Sequence, residues 1–476
     1  LQAGAVGLFS DAASPAIWPY RLPSLLGAGA AVLLTFGFGA RLVGRPAALL
    51  GAALLAGSLG LTVEAHFATT DAVLLALATA AQGALGEIYR RGRDGVPAPR
   101  RWALLFWATQ GAAVLIKGPV APLLALLTII ALTVADRSAR WLGGLRALWG
   151  VPLLIAIVGP WLVAISLATN GAFLGQSLGH DFLGKLVGAQ ESHGAPPLYY
   201  LLLLAVTFWP GSLFLGAAAA RAWQARRETA VRFLIAWAVP FWLALELVPT
   251  KLPHYILPAY PAVALLAGSA LTAAGERRAP RRLDRIIAAL WALVGLALAS
   301  LLMLAPLRFG EGIDAAGIVA GAVILFLGGR MAIAAWRGLR PGLAARAVLL
   351  ALLVLAPALG IEAPLLNRLW LSRSAAALVA AHPPPSGVPM IAVGYAEPSL
   401  VFLLGTGTRL LSPAAAALDL RATPGAEALV ESRAEANFHA ALAAHGIVAR
   451  AIGRVGGLDY SNGRAMILTL YRAAPG

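Results

Sequence analysis

The chain has 476 residues, 60% of them hydrophobic and only 12% charged, with no cysteine and a formal net charge of +16. A soluble globular chain carries about 25% charged residues; a mean hydropathy of +0.79 with repeated apolar runs excludes that class and specifies a polytopic helical membrane protein. Without cysteine there is no disulfide framework and no thiolate metal site, and the positive charge, which in a soluble protein would suggest nucleic acid, lies in short loops between apolar runs, where it records topology.

Residues 1–9 are apolar but too short to span, and no charged segment of signal-peptide type precedes them, so they read as the tail of an interfacial helix in a chain that starts inside a longer protein. Ile17-Trp18-Pro19-Tyr20-Arg21 follows as an aromatic–basic anchor of the headgroup level. Spans are expected over 22–40 and 47–61, then a short turn with Glu64, His66 and Asp71, then a span over 71–89. The next loop holds Arg90, Arg91, Arg93, Arg100 and Arg101, and the positive-inside rule makes it cytoplasmic. Spans over 102–116, 120–135, 149–168, 198–220, 233–248, 254–274, 286–307, 313–336 and 347–366 then alternate, and every arginine-dense loop falls on the same side. The expectation is about twelve transmembrane helices within residues 1–370.

Beyond Trp370 the pattern changes. Pro383-Pro384-Pro385-Ser386-Gly387 is a linker. Strands are expected over 388–395, 408–411 and 427–431, short helices over 398–404 and 434–445, and a hairpin from 447–454 and 464–472 around the glycine-rich 456–463. Residues 371–476 thus read as a small C-terminal α/β domain on the periplasmic side, and no internal repeat is found.

Three polar groups fall on the face opposite the arginine loops: the turn Lys117-Gly118-Pro119, the long loop 169–197, and the proline-rich turn 249–261. They carry, with the turn before the third span, Glu64, His66, Asp71, Lys117, His180, Asp181, Lys185, Glu191, His193, Lys251, His254 and Tyr255. No Ser–His–Asp or His-Glu-x-x-His spacing occurs, and no metal is assigned; Glu191 and His193 with a third group are the one metal alternative. Lys117 ends an apolar run, so it either snorkels to the interface or neutralises a phosphate, for which an ammonium is a good point charge. Lys251 has the same two readings, with Tyr255, Tyr260 and the prolines favouring a site. Asp71 is either a carboxylate at a helix N-terminus or a ligand of a sugar hydroxyl. Outward lysines with aromatic neighbours suit an anionic headgroup on a lipid, and a transporter for an anion would use the same residues.

The segment Lys251-Leu252-Pro253-His254-Tyr255-Ile256-Leu257-Pro258-Ala259-Tyr260-Pro261 resembles one shared by bacterial lipid A aminoarabinose transferases and their undecaprenyl-phosphate-sugar-dependent relatives, which belong with the protein O-mannosyltransferases in the C-type glycosyltransferase fold. Arg21-Leu22-Pro23-Ser24, the stretch 66–71, Lys117-Gly118-Pro119, the loop 190–200 and Phe208-Trp209-Pro210 resemble that family in the same order. The resemblance implies a multi-pass glycosyltransferase of the bacterial inner membrane. It would move a sugar from a polyprenyl-phosphate donor to a lipid A-like glycolipid or a protein on the periplasmic side, with inversion and with no required cofactor or metal. It further implies that the family's first helix and first periplasmic loop, with the catalytic acid and a Glu-Lys-Pro-Pro segment, lie upstream of Leu1. By the same resemblance Asp71 lies near the active cavity, and Lys117, His193, Lys251, His254 and Tyr255 near the donor phosphate or cavity. A transporter or flippase of a lipid-linked sugar is the alternative, and it would call for inverted repeats near the midplane. An O-antigen type polymerase or ligase is a weaker one, because the loop 169–197 has no arginine.

Overall fold

The computed structural model describes residues 1–10, 16–174, 196–273, 280–460 and 463–473. The chain divides into two compact units: Leu1–Phe9, Ile17–Ala299 and Ala322–Leu355 form the first, and Ser10–Ala16, Ser300–Gly321 and Ala356–Gly476 the second.

The first unit is helical. Helices α1 (Gln2–Phe9), α2 (Trp18–Leu42), α3 (Arg45–Ala56), α4 (Leu59–Ala65), α5 (Asp71–Arg93), α6 (Arg100–Lys117), α7 (Val120–Asp136) and α8 (Ala147–Ala168) follow in order. α5 is the core of this group, with 89% of its most apolar stretch buried. Its sequence is rich in alanine and glycine, which lets neighbouring backbones come close where lipid supplies no hydrophobic force between helices. At Gly27 of α2 a Cβ atom would fall 2.7 Å from the Val73 backbone nitrogen, so that glycine sets the approach of α2 to the first turn of α5. α8 is the opposite case: its leucines, isoleucines and tryptophans leave only 6% of the stretch buried, the surface of a helix that faces lipid.

Among the described residues, eight helices are long and apolar enough to cross a membrane, or ten if each of two bent pairs is one span. α6 and α7, with 18 and 17 residues, stand outside that group, α6 beginning on two arginines. The bent pairs depart from the continuous spans expected over 47–61 and 198–220. α3 and α4 meet at 60° across Gly57-Ser58, and Tyr199–Thr207 meets Gly211–Gln224 at 117° across Phe208-Trp209-Pro210. The causes are local: proline has no N–H to continue a helix, and glycine weakens one. The buried indoles of Trp209 and Trp291 stack beside this second break, and the Trp291 Nε1–H donates to the Pro210 carbonyl at 3.1 Å.

The second unit carries a five-stranded sheet of order β2-β1-β3-β5-β4. Its strands are β1 (Ile391–Val393), β2 (Arg409–Leu410), β3 (Glu427–Glu431), β4 (Ala449–Asp459) and β5 (Arg464–Ala473). β1 runs parallel to β2 and β3, while β5 is antiparallel to β3 and β4. β3 is buried throughout because helices cover both faces: Ala428 and Val430 pack with Ala416, Leu420 and Phe438, and Leu429 packs with Leu371, Leu400 and Leu470. Two helices of this unit, Leu371–Ala381 and Pro413–Ala422, had not been anticipated. The second is capped by Ser412, whose Oγ accepts the Ala415 N–H at 3.3 Å.

Candidate active site

Three chain turns at the same end of the first unit's helices meet in one charged cluster. The first is the α4–α5 connection, where Thr69 precedes Asp71 in the first turn of α5. The second is the end of α6: Lys117 is its last residue, and Gly118 follows with φ +61°, a conformation glycine adopts without a Cβ penalty, before Pro119 blocks continuation. The third is the 3₁₀ turn Pro253–Ala259, entered through prolines, which presents His254 and Tyr255.

At the centre, Lys117 Nζ donates to Asp71 Oδ1 at 2.6 Å. The same ammonium lies over the Tyr255 ring, 5.5 Å from its centroid. His254 stands edge-on to Tyr255 and lies between the two carboxylates, with Nε2 3.8 Å from Asp71 Oδ1 and Nδ1 3.7 Å from Glu64 Oε1. Thr69 Oγ1–H donates to Glu64 Oε2 at 3.0 Å, and the Thr69 carbonyl accepts from Ser24 Oγ at 2.7 Å, tying the turn to α2. Glu64 and Asp71 are buried, whereas Lys117 keeps 30% of its side chain exposed. The ammonium is therefore held from one side and open on another. Two carboxylates against one lysine and one imidazole leave the cluster with surplus acceptors, able to take hydroxyl or amine groups.

A second cluster surrounds Lys251, which is buried with its Nζ 3.7 Å from Glu246 Oε2 and 3.4 Å from the Pro196 carbonyl. Glu246 Oε1 also accepts the Tyr200 backbone N–H at 3.0 Å and the Trp242 indole N–H at 3.1 Å. Lys251 lies three residues before His254, so the clusters adjoin along the chain. Of the candidates from the sequence, Asp71, Lys117, His254 and Tyr255 thus share one cluster, and Lys251 sits in the neighbouring one. His193 lies outside the described residues, as do His180, Asp181, Lys185 and Glu191. His66 points away, exposed, with Nδ1 2.7 Å from the Thr62 carbonyl. Tyr260 is fully buried against Phe208 with its hydroxyl on Thr207, a packing position. Glu246 was missed by the sequence reading. Its signal was available: a lone carboxylate near the end of the apolar helix Thr229–Leu247, costly to keep there without a partner. Among the described residues, no group of three His, Asp or Glu side chains is placed to hold a metal ion.

Residues 12–170 match the family described as dolichyl-phosphate-mannose-protein mannosyltransferase. An undecaprenyl phosphate-alpha-4-amino-4-deoxy-L-arabinose arabinosyl transferase of Pseudomonas aeruginosa PAO1 is 31% identical over 256 residues, which cover 53% of this chain and 45% of that protein. A second such transferase, from Pseudomonas fluorescens Pf0-1, is 36% identical over 173 residues, 36% of this chain and 30% of that protein. The similarity therefore spans less than half the length of either relative. The crystal structure of ArnT from Cupriavidus metallidurans bound to undecaprenyl phosphate superposes with a TM-score of 0.74 at 20% identity, over 98% of this chain and 86% of that one. Its apo state gives 0.70. The chain has the fold of ArnT, and part of its sequence is similar to those of undecaprenyl phosphate-alpha-4-amino-4-deoxy-L-arabinose arabinosyl transferases.

Proposed function

We propose that this protein transfers a sugar from a polyprenyl phosphate to a lipid A-like glycolipid or a protein acceptor, on the periplasmic side of a bacterial inner membrane. The observation that carries the reading is the Lys117 ammonium, fixed by Asp71 and Tyr255 beside Glu64 and His254, with part of its surface open. In the proposed reaction a carboxylate takes the proton of the acceptor hydroxyl as its oxygen attacks the anomeric carbon from the face opposite the phosphate, the bond between that carbon and the phosphate oxygen breaks with its electron pair leaving on the phosphate, and the configuration inverts. The departing lipid phosphate gains negative charge, and Lys117 stabilises it as that charge develops. Asp71 orients the ammonium and His254 fills the space between the carboxylates. Residues 1–370 form the transmembrane transferase domain and 371–476 the periplasmic C-terminal domain in this reading. It is supported by the similarity to enzymes whose names specify an undecaprenyl phosphate-linked aminoarabinose. The acid surplus of the cluster suits a donor sugar that carries an amine.

Binding of undecaprenyl phosphate to the detergent-purified protein tests the donor half of this reading by native mass spectrometry. Lys117→Ala is expected to weaken binding about tenfold or more, the scale of one charged hydrogen bond. Equal binding by the wild type and the variant would leave Lys117 to snorkelling and remove the donor-site argument.

A further inference from the structure

We propose that a groove between the arginine-side ends of α6 and α8 binds the headgroup of an anionic glycerophospholipid. This end of α6 is far from the charged cluster above: the 18 residues from Arg100 to Lys117 make a rod of roughly 27 Å. The groove has a volume of about 330 Å³ and is walled by Arg100, Leu104 and Trp107 on one side and by Arg146, Trp149 and Gly150 on the other.

Its shape follows from one packing contact. A Cβ atom at Gly150 would fall 1.8 Å from Trp107 Nε1, so only glycine lets that indole lie against α8. The indole N–H donates to the Leu145 carbonyl at 2.8 Å, which fixes the ring as the floor. Its charge is of one sign. Some arginines elsewhere on this side meet carboxylates: Arg90 pairs with Glu87, Arg221 with Glu228, and Arg93 and Arg232 with Asp136. Among the described residues neither Arg100 nor Arg146 has a carboxylate within 4.0 Å, the limit for an ion pair. Arg146 reaches only the Ala98 carbonyl, at 3.5 Å, and its Nε is buried without a hydrogen-bond partner. Two guanidinium groups in a carboxylate-free groove call for an external anion with several acceptor oxygens.

The rest of the wall selects the form of that anion. Leu104 and Trp149 are exposed, and Trp149 lies on α8, whose apolar surface is left open to lipid. A phosphate carried on acyl chains would seat its headgroup on the arginines and its chains along Leu104 and Trp149, at the depth where tryptophan and arginine are favoured. A free phosphate would gain nothing from that apolar wall. The inference is independent of the transfer reaction, because it concerns the other end of α6.

The test measures retention of phosphatidylglycerol against phosphatidylcholine on the purified full chain by native mass spectrometry. The wild type is expected to keep phosphatidylglycerol in preference. The double variant Arg100→Gln, Arg146→Gln is expected to hold it about thirtyfold more weakly, the effect of two charges at an anionic surface. The exposed Arg137→Gln, elsewhere on the same side, should retain the lipid as the wild type does. If the double variant does not fold, Arg100→Gln alone should lose about fivefold. Equal retention of the two lipids, or retention unaffected by the arginine substitutions, would overturn the proposal. So would displacement of phosphatidylglycerol by millimolar inorganic phosphate, which would mark a free-phosphate site.

Discussion

Lys117 and Lys251 look alike as sequence, each at the end of an apolar run beside a proline, and the structure separates them. Lys251 is buried against Glu246, while Lys117 bridges Asp71 and Tyr255 with part of its side chain open. Removing one partner of a buried ion pair leaves an uncompensated charge, at a cost of about 3–5 kcal/mol. Both Lys251→Ala and Lys117→Ala are therefore expected to lower the melting temperature in detergent, since Asp71 is as buried as Glu246 and Glu246 keeps the Tyr200 and Trp242 N–H donors. An unchanged melt for either variant would show that its carboxylate is solvated without the lysine. The distinction was not legible in the sequence, because it depends on which way Glu246 points from a helix that is continuous in either case. Asp71, Lys117, His254 and Tyr255 were legible as candidates, since charged and aromatic residues at span ends are few. Their convergence on one cavity was an implication of the family resemblance rather than of composition or spacing, because it pairs residues as far apart as Asp71 and Lys117, 46 positions along the chain.

Between elements, the arginine side is held by Asp136, the last residue of α7. Its Oδ1 accepts from Arg93 of α5 at 2.8 Å and from Arg232 of the helix Thr229–Leu247, and its Oδ2 accepts the Tyr89 hydroxyl at 2.9 Å. One carboxylate thus ties three helices. Asp136→Ala should cost about 2–4 kcal/mol, allowing for the partial exposure of both arginines, and should show as a lower melting temperature. Asp136→Asn should recover part of the loss by keeping an acceptor for Tyr89; no recovery would mean that the charge alone matters. The strands of the second unit were readable from alternation and glycine signals, and β3 falls on 427–431 as expected. The helix Pro413–Ala422 was not, because its alanine-rich sequence carries little apolar period; Leu371–Ala381 was not either, although its apolar residues Leu371, Ala375 and Val379 fall on one buried face. The breaks at Gly57-Ser58 and Phe208-Trp209-Pro210 were hidden in otherwise apolar runs for the related reason that hydropathy does not register a bend.

At the scale of the whole molecule, the arginine pattern carries the proposed orientation, with the loop around Ser138 cytoplasmic and the carboxy-terminal domain periplasmic. The chain has no cysteine, so single cysteines report cleanly. Ser138→Cys should label with an impermeant maleimide only after the inner membrane is opened, and Thr406→Cys should label from the periplasm. Labelling of both from the periplasm would contradict the threading. The central claim, that Lys117 serves a departing lipid phosphate, is tested most directly by sugar transfer in membranes containing the protein. The measurement is incorporation of label from an undecaprenyl phosphate-linked aminopentose into lipid A. The full-length wild-type protein should transfer, and Lys117→Ala in that full-length protein, with its fold checked by thermal melt, should lose about 10- to 150-fold in rate, the value of one charged hydrogen bond of about 1.5–3 kcal/mol realised in the transition state. A folded Lys117→Ala variant that transfers at the wild-type rate would contradict the account.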